Sequence, residues 1–256
     1  VVYGHGLLGS RDEVAGNDLG ANAASGNQMY CATDWLGMST QDIGYATEAL
    51  GDLSKFPAMA DRMQQGILAQ LVLARAIIDP RSLPQLPQFR NKDGSVSYFT
   101  DEVFFDGNSQ GAIMGAAATA VATDWKRATL GVPGMNYSTL LQRSTDWATY
   151  AAVMDPAYPS DADRQLVFGL LQMLWDRGEA GGYVQHLTSN PYPKTPEHQV
   201  IFAVAFGDHQ VAPVTAEPGS TSTGTGSPVS IDASTADVPD STTPSVAIFS
   251  PGRTTK

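Results

Sequence analysis

The chain has 256 residues, enough for one full α/β domain with a sizeable buried core. Its 15 basic and 26 acidic residues leave a net charge of −11, which argues against a nucleic-acid partner. No apolar run approaches the roughly 18 residues of a membrane span, so no stable membrane insertion is expected, and a single cysteine, Cys31, excludes an internal disulfide framework.

Five β-prone runs are predicted as strands: residues 1–4, 29–33, 102–105, 128–132 and 199–206. The first opens the chain with no signal segment visible ahead of it. Cys31, inside the second, reads as a small buried residue and not as a nucleophile. A helix is predicted over 56–78, where Phe56, Met59, Met63, Ile67, Leu71, Ala74 and Ile78 recur at three- and four-residue steps before Asp79-Pro80 ends it. Small residues give 112–122 helical character. A further helix is predicted over 161–176, with Leu166, Leu170, Met173 and Leu174 on one face. This alternation predicts an α/β fold, a mostly parallel sheet flanked by helices, with ligands at the strands' carboxyl ends. From 218 to 256 Ser, Thr, Gly and Pro dominate, and a low-complexity, disordered tail is expected, with 245–249 only a weak candidate for an edge strand.

The densest chemical signal is Asp106-Gly107-Asn108-Ser109-Gln110-Gly111, set between the run Val103-Phe104-Phe105 and the helical segment from 112. A strand, then G-x-S-x-G, then a helix is the context of a nucleophile elbow, whose tight turn needs small residues two positions either side of the serine. Taken alone, the motif also fits a glycine-rich turn carrying an ordinary serine. After the first strand, His5-Gly6-Leu7-Leu8-Gly9-Ser10 forms a glycine-rich exit. The amides of Leu7 and Gln110 are the candidate pair of donors for an oxyanion. The second strand exits through Thr33-Asp34-Trp35-Leu36-Gly37-Met38-Ser39, where Asp34 is expected to brace loops. The last strand exits through Gly207-Asp208-His209-Gln210-Val211. Asp208 there is positioned either to orient an imidazole, as the acid of a triad does, or to cap the loop.

These pieces, in this order, resemble the α/β-hydrolase superfamily of the serine esterase or lipase type, over residues 1 to about 215. The resemblance implies that Ser109 is the nucleophile, Asp208 the acid, and Leu7 and Gln110 the oxyanion hole. It implies a helical cap insertion over 133–195, whose Met135, Tyr137, Trp147, Tyr150, Met173 and Trp175 line an acyl pocket or join the core. Family sheets begin two strands earlier and carry the general-base histidine in a later segment. The chain is therefore expected to correspond to the middle of such a fold, as a truncated hydrolase or a natural remnant. His209 is the first candidate base, although neighbouring side chains in an extended exit point apart; His186 is the second. His5 is expected to brace its loop, and His198 to begin the last strand far from Ser109. The expected substrate is a small-molecule or lipid ester. No cofactor is expected, nor a metal site, because the histidines lack ligand spacing. Peptidase or amidase activity, or a non-catalytic remnant that binds apolar ligands, are the rival readings. Acidity, the tail and the resemblance favour an extracellular or periplasmic protein.

Overall fold

Strands β1 (Val2–Gly4), β2 (Cys31–Ala32), β3 (Val103–Asn108), β4 (Trp125–Gly131) and β5 (Gln199–Ala205) pair in parallel, in the order β2-β1-β3-β4-β5. This computed structural model describes residues 1–216 and two further strand segments, β6 (Val229–Ile231) and β7 (Pro244–Phe249). Each predicted strand is present. β3 runs on past Phe105 through Asp106, Gly107 and Asn108, because β4 pairs along that whole stretch and β1 along Asp106 and Gly107. Tertiary pairing here overrides the turn propensity of those residues.

β7 adds antiparallel to β5, and β6 to β7. Over 244–249, and at 229–231, the structure departs from the expected disorder: Val246, Ala247, Ile248 and Phe249 form a β-prone run, β5 offers an edge for it, and β6 covers β7 in turn, so β7 is an inner strand and not an edge one. Otherwise the expected disorder of 218–256 lies outside the described residues.

Seven helices connect the described strands: α1 (Asn17–Gly26), α2 (Ile43–Gly51), α3 (Phe56–Ile78), α4 (Gln110–Val121), α5 (Tyr137–Leu140), α6 (Trp147–Ala157) and α7 (Asp161–Trp175). α3 has the bounds its periodicity predicts; Phe56, Met59, Met63, Ile67 and Ala74 of its stripe are buried. α4 is buried on every side from Gln110 to Ala120 and packs on β1, β3, β4 and α3. A helix apolar all round belongs at a core centre, and its alanines and glycines allow close approach. On the packed face of the sheet lie Val103, Phe105, Trp125, Leu130, Val200 and Phe202. Among the described residues the opposite face is more open, with Phe104, Asp106, Arg127 and Thr129 half-buried or exposed and the Arg127 guanidinium 5.9 Å from the Phe104 ring. No helix among the described residues is long and apolar enough to cross a membrane.

On α7 the aliphatic face is not the packed one. Leu166, Leu170 and Met173 are 65%, 56% and 70% exposed, and the packed face is Phe168, Leu171 and Trp175. Both sets have helical spacing. The second carries two aromatic rings, and Phe168 and Trp175 join Phe56, Tyr137 and Trp147 in one ring cluster. The larger apolar area goes inward.

Candidate functional site

Ser109 sits between the last residue of β3 and the first of α4 with φ 56° and ψ −120°. A non-glycine residue holds such a conformation at a cost of about 1–3 kcal/mol, and only where its surroundings impose it. Here the Ser109 N–H donates to the Gly131 carbonyl (2.8 Å), and the Ser109 carbonyl accepts from Ala112 (2.8 Å) and Ile113 (3.0 Å). Two glycines complete the constraint. A Cβ on Gly107 would lie 2.3 Å from the Gly111 oxygen, and one on Gly111 would lie 2.0 Å from the Gly4 oxygen. Leu8 (φ 48°) and Val132 (φ 44°) are also left-handed, so non-glycine positive φ recurs in the loops leaving β1, β3 and β4.

The loop leaving β1 is braced from below. The Gly6 N–H donates to both Glu13 carboxylate oxygens (3.2 and 3.1 Å), and that of Gly9 to the Gly6 carbonyl (3.1 Å). His5 is fully buried: its Nε2 accepts from the Trp35 N–H at 2.8 Å, and its Nδ1 lies 2.8 Å from the Gly6 carbonyl. A backbone N–H only donates, so Nε2 is bare and Nδ1 carries the proton. Both ring nitrogens are thus committed to bracing. The amides of Leu7 and Gln110 make no hydrogen bond among the described residues, the latter because the first residue of a helix has no partner a turn before it. Two free donors beside a serine suit an oxygen that gains negative charge.

Leu7, Ser109 and Gln110 line one pocket of about 740 Å³, part of it open to solvent. Its walls come from α2, α3, α4 and the helical segment between β4 and β5, with Leu50, Phe56, Ile113, Leu140, Trp147 and Trp175 giving an apolar interior. Of the six insertion residues expected to line a pocket or join the core, Tyr137, Trp147, Tyr150 and Trp175 line it, Met135 is buried elsewhere, and Met173 is exposed. The mouth is polar, formed by Leu7, Ser109, Asp146, Thr149, Tyr150 and Gln210.

Neither Asp208 nor His209 lines the pocket. The expected assembly of these two with Ser109 is therefore corrected. Asp208 Oδ1 accepts from the backbone N–H groups of Gln210 (2.7 Å) and Val211 (2.9 Å), the loop-capping alternative. The His209 side chain is exposed and makes no hydrogen bond to Asp208, while its carbonyl accepts from Thr145 N (2.8 Å). His186 is held elsewhere, its Nδ1 2.6 Å from the Asn190 carbonyl and its ring 4.0 Å from that of Tyr192. His198, buried and with its pKa lowered by burial, precedes the amino end of β5, whereas Ser109 follows the carboxyl end of β3. Asp34 is a brace as expected, accepting from Arg11 N (2.7 Å), Arg11 Nη1 (2.9 Å) and Gln41 Nε2 (3.0 Å).

The mouth contains what sequence reasoning missed. Asp146 contributes a carboxylate to the lining of the pocket and its mouth, and the Gln210 amide donates to it at 3.2 Å, tying the β5 exit to the start of α6. Nothing in the sequence marks Asp146, an acid one residue before a tryptophan. Among the described residues no group of three His, Cys, Asp or Glu side chains could hold a metal ion. No protein-family model, curated protein or solved structure matches the chain.

Proposed function

We propose that the chain is a serine hydrolase of carboxylic esters, with Ser109 as nucleophile and the N–H groups of Leu7 and Gln110 as oxyanion donors. The observation that carries this reading is the strained Ser109 conformation, which presents the residue at an apolar pocket beside two unengaged amides. The motifs resembling α/β-hydrolases support it. Ser109 Oγ attacks the ester carbonyl, the oxyanion rests on the two amides, the alcohol departs, and water releases the acid from the acyl-enzyme.

Because no imidazole lines the pocket, neither activation of Ser109 nor protonation of the leaving group comes from histidine in this arrangement. Amide cleavage needs that protonation far more than cleavage of an ester with a good leaving group. The reading is thereby narrowed to activated esters, with rates set by the oxyanion donors and binding. The exposure of His209 favours a second reading, a pocket that binds apolar ligands without turnover.

A fluorophosphonate probe should label the folded protein and fail to label Ser109→Ala, with p-nitrophenyl butyrate hydrolysed and the matching anilide untouched. A folded protein that stays unlabelled, or a Ser109→Ala variant labelled equally, overturns the proposal. Ligand binding without labelling establishes the second reading.

A further inference from the structure

The pocket mouth carries a charge that the fold does not use. Asp146 directly precedes α6, where an aspartate ordinarily caps the helix by accepting its free N–H groups. Its side chain makes no such bond. Among the described residues Asp146 has no ion pair, and its carboxylate accepts only from the Gln210 amide, at 3.2 and 3.4 Å. A carboxylate has about four acceptor positions, so one neutral donor leaves both charge and capacity unspent.

Aromatic rings stand beside that charge. Trp147 and Tyr150 follow Asp146 on α6, with ring centroids 6.2 Å apart and planes within 28° of parallel. Burial raises the Tyr150 pKa and the Asp146 charge adds to the rise, so the carboxylate lies close to this phenol. Asp146, Trp147 and Tyr150 are half-buried and Gln210 is exposed, so all four remain open to solvent. All four line the Ser109 pocket, and Asp146, Tyr150 and Gln210 share its mouth with Ser109, Leu7 and Thr149. No Lys, Arg or His lines either space. A carboxylate among aromatic faces suits an alkylammonium group: the anion attracts its charge, and the rings attract it through their π faces while packing against its methyl groups. The net charge of −11 favours the approach of such a cation.

We propose that the mouth binds a quaternary ammonium group carried on the alcohol part of the ester, so that the preferred substrates are esters of cationic amino alcohols. This deepens the hydrolase reading and rests on it for the direction of the ester, with the acyl chain in the apolar pocket and the alcohol at the mouth. A quaternary group suits this wall better than a primary amine, because its methyl groups pack on rings and need no hydrogen-bond acceptors.

Binding to Ser109→Ala tests this without any turnover. Trp147 lines the pocket, so tryptophan fluorescence can follow titration with butyrylcholine and with 3,3-dimethylbutyl butyrate, its neutral isostere with carbon in place of nitrogen. The choline ester should bind about tenfold more tightly, against the order that hydrophobicity alone imposes. In the same background Asp146→Asn keeps an acceptor for Gln210 and removes only the charge, and it should lower that ratio severalfold. Tyr150→Leu, which leaves the carboxylate in place, should lower it as well, and decides the matter if Asp146→Asn does not fold. The proposal is overturned if the neutral ester binds as tightly as the choline ester. It is equally overturned if folded Asp146→Asn keeps the full preference, which would assign the effect to the charge of the whole molecule. Failure of the hydrolase reading is separate, since it appears as absent probe labelling of the wild-type protein.

Discussion

A methyl group added at Gly111 would have its carbon 2.0 Å from the Gly4 carbonyl oxygen, and neither backbone is free to yield. Gly4 is held in β1 by pairing with Gly107, and Gly111 is in the first turn of a helix buried along its length. Gly111→Ala should therefore cost about 3 kcal/mol of stability through overpacking. It should also lose probe labelling at Ser109, because the backbone shift that relieves the clash moves the turn. Gly20→Ala is the matched control. It lies inside α1 with nothing within 4 Å of an added Cβ, so it should stabilise by about 0.5–1 kcal/mol through lost freedom of the unfolded chain. Urea unfolding midpoints of the two variants check both. Equal effects at the two positions would mean that the elbow glycines are ordinary helix-start residues.

At the scale of elements, α7 turns a different face inward from the one its aliphatic stripe suggests, and this can be measured. Leu171→Ala should destabilise by about 2–5 kcal/mol, whereas Leu166→Gln, Leu170→Gln and Met173→Gln should each stay within about 0.5 kcal/mol of wild type. Comparable losses from Leu170→Gln and Leu171→Ala in chemical denaturation would contradict the packing. α3 was readable to its ends because a stripe of Phe, Met, Ile and Ala recurs from its first turn to its last, with only Leu68 and Val72 as large apolar residues left exposed, and Asp79-Pro80 stops it. The strands and the Ser109 turn were readable because local residues dictate them: two glycines at fixed offsets, an apolar run before and small residues after. α7 offers two stripes, and the choice between them rests on Phe56 and Tyr137, distant in sequence. The mouth was unreadable for the same reason. Asp146 meets Gln210 across 64 positions, and the Asp208 and His209 placements follow from how that exit loop closes on its own backbone and on Thr145.

Among the described residues Glu179 is a buried acid whose raised pKa couples its ionisation to global stability. Glu179 accepts from Asn136 N (3.3 Å), Gly181 N (2.9 Å) and Gln172 Nε2 (2.5 Å), so it joins the turn after β4, the turn after α7 and α7 itself. Burial pushes its pKa up from 4.5 to about 7, with the nearby Asp176 adding to the rise and those hydrogen bonds opposing it. Between about pH 4.5 and 7 the native state therefore binds more protons at this site than the unfolded chain. Stability from this group is fully present below pH 4.5 and falls as the pH rises through 7. His198 has the opposite sign: its lowered pKa makes stability rise through the range near pH 6.5. The exposed Asp52 and Asp93 and the half-buried Asp79, with lowered pKa values, act only at lower pH. A wild-type pH profile mixes these effects, but the difference between wild type and Glu179→Gln cancels those that both proteins share. Relative to wild type, Glu179→Gln should gain about 2–3 kcal/mol on going from pH 5 to pH 8. Urea unfolding at the two pH values measures it. A difference that does not change with pH would place the carboxyl group in contact with solvent, and would remove Glu179 as the buried tie that holds the pocket's helical wall to the sheet.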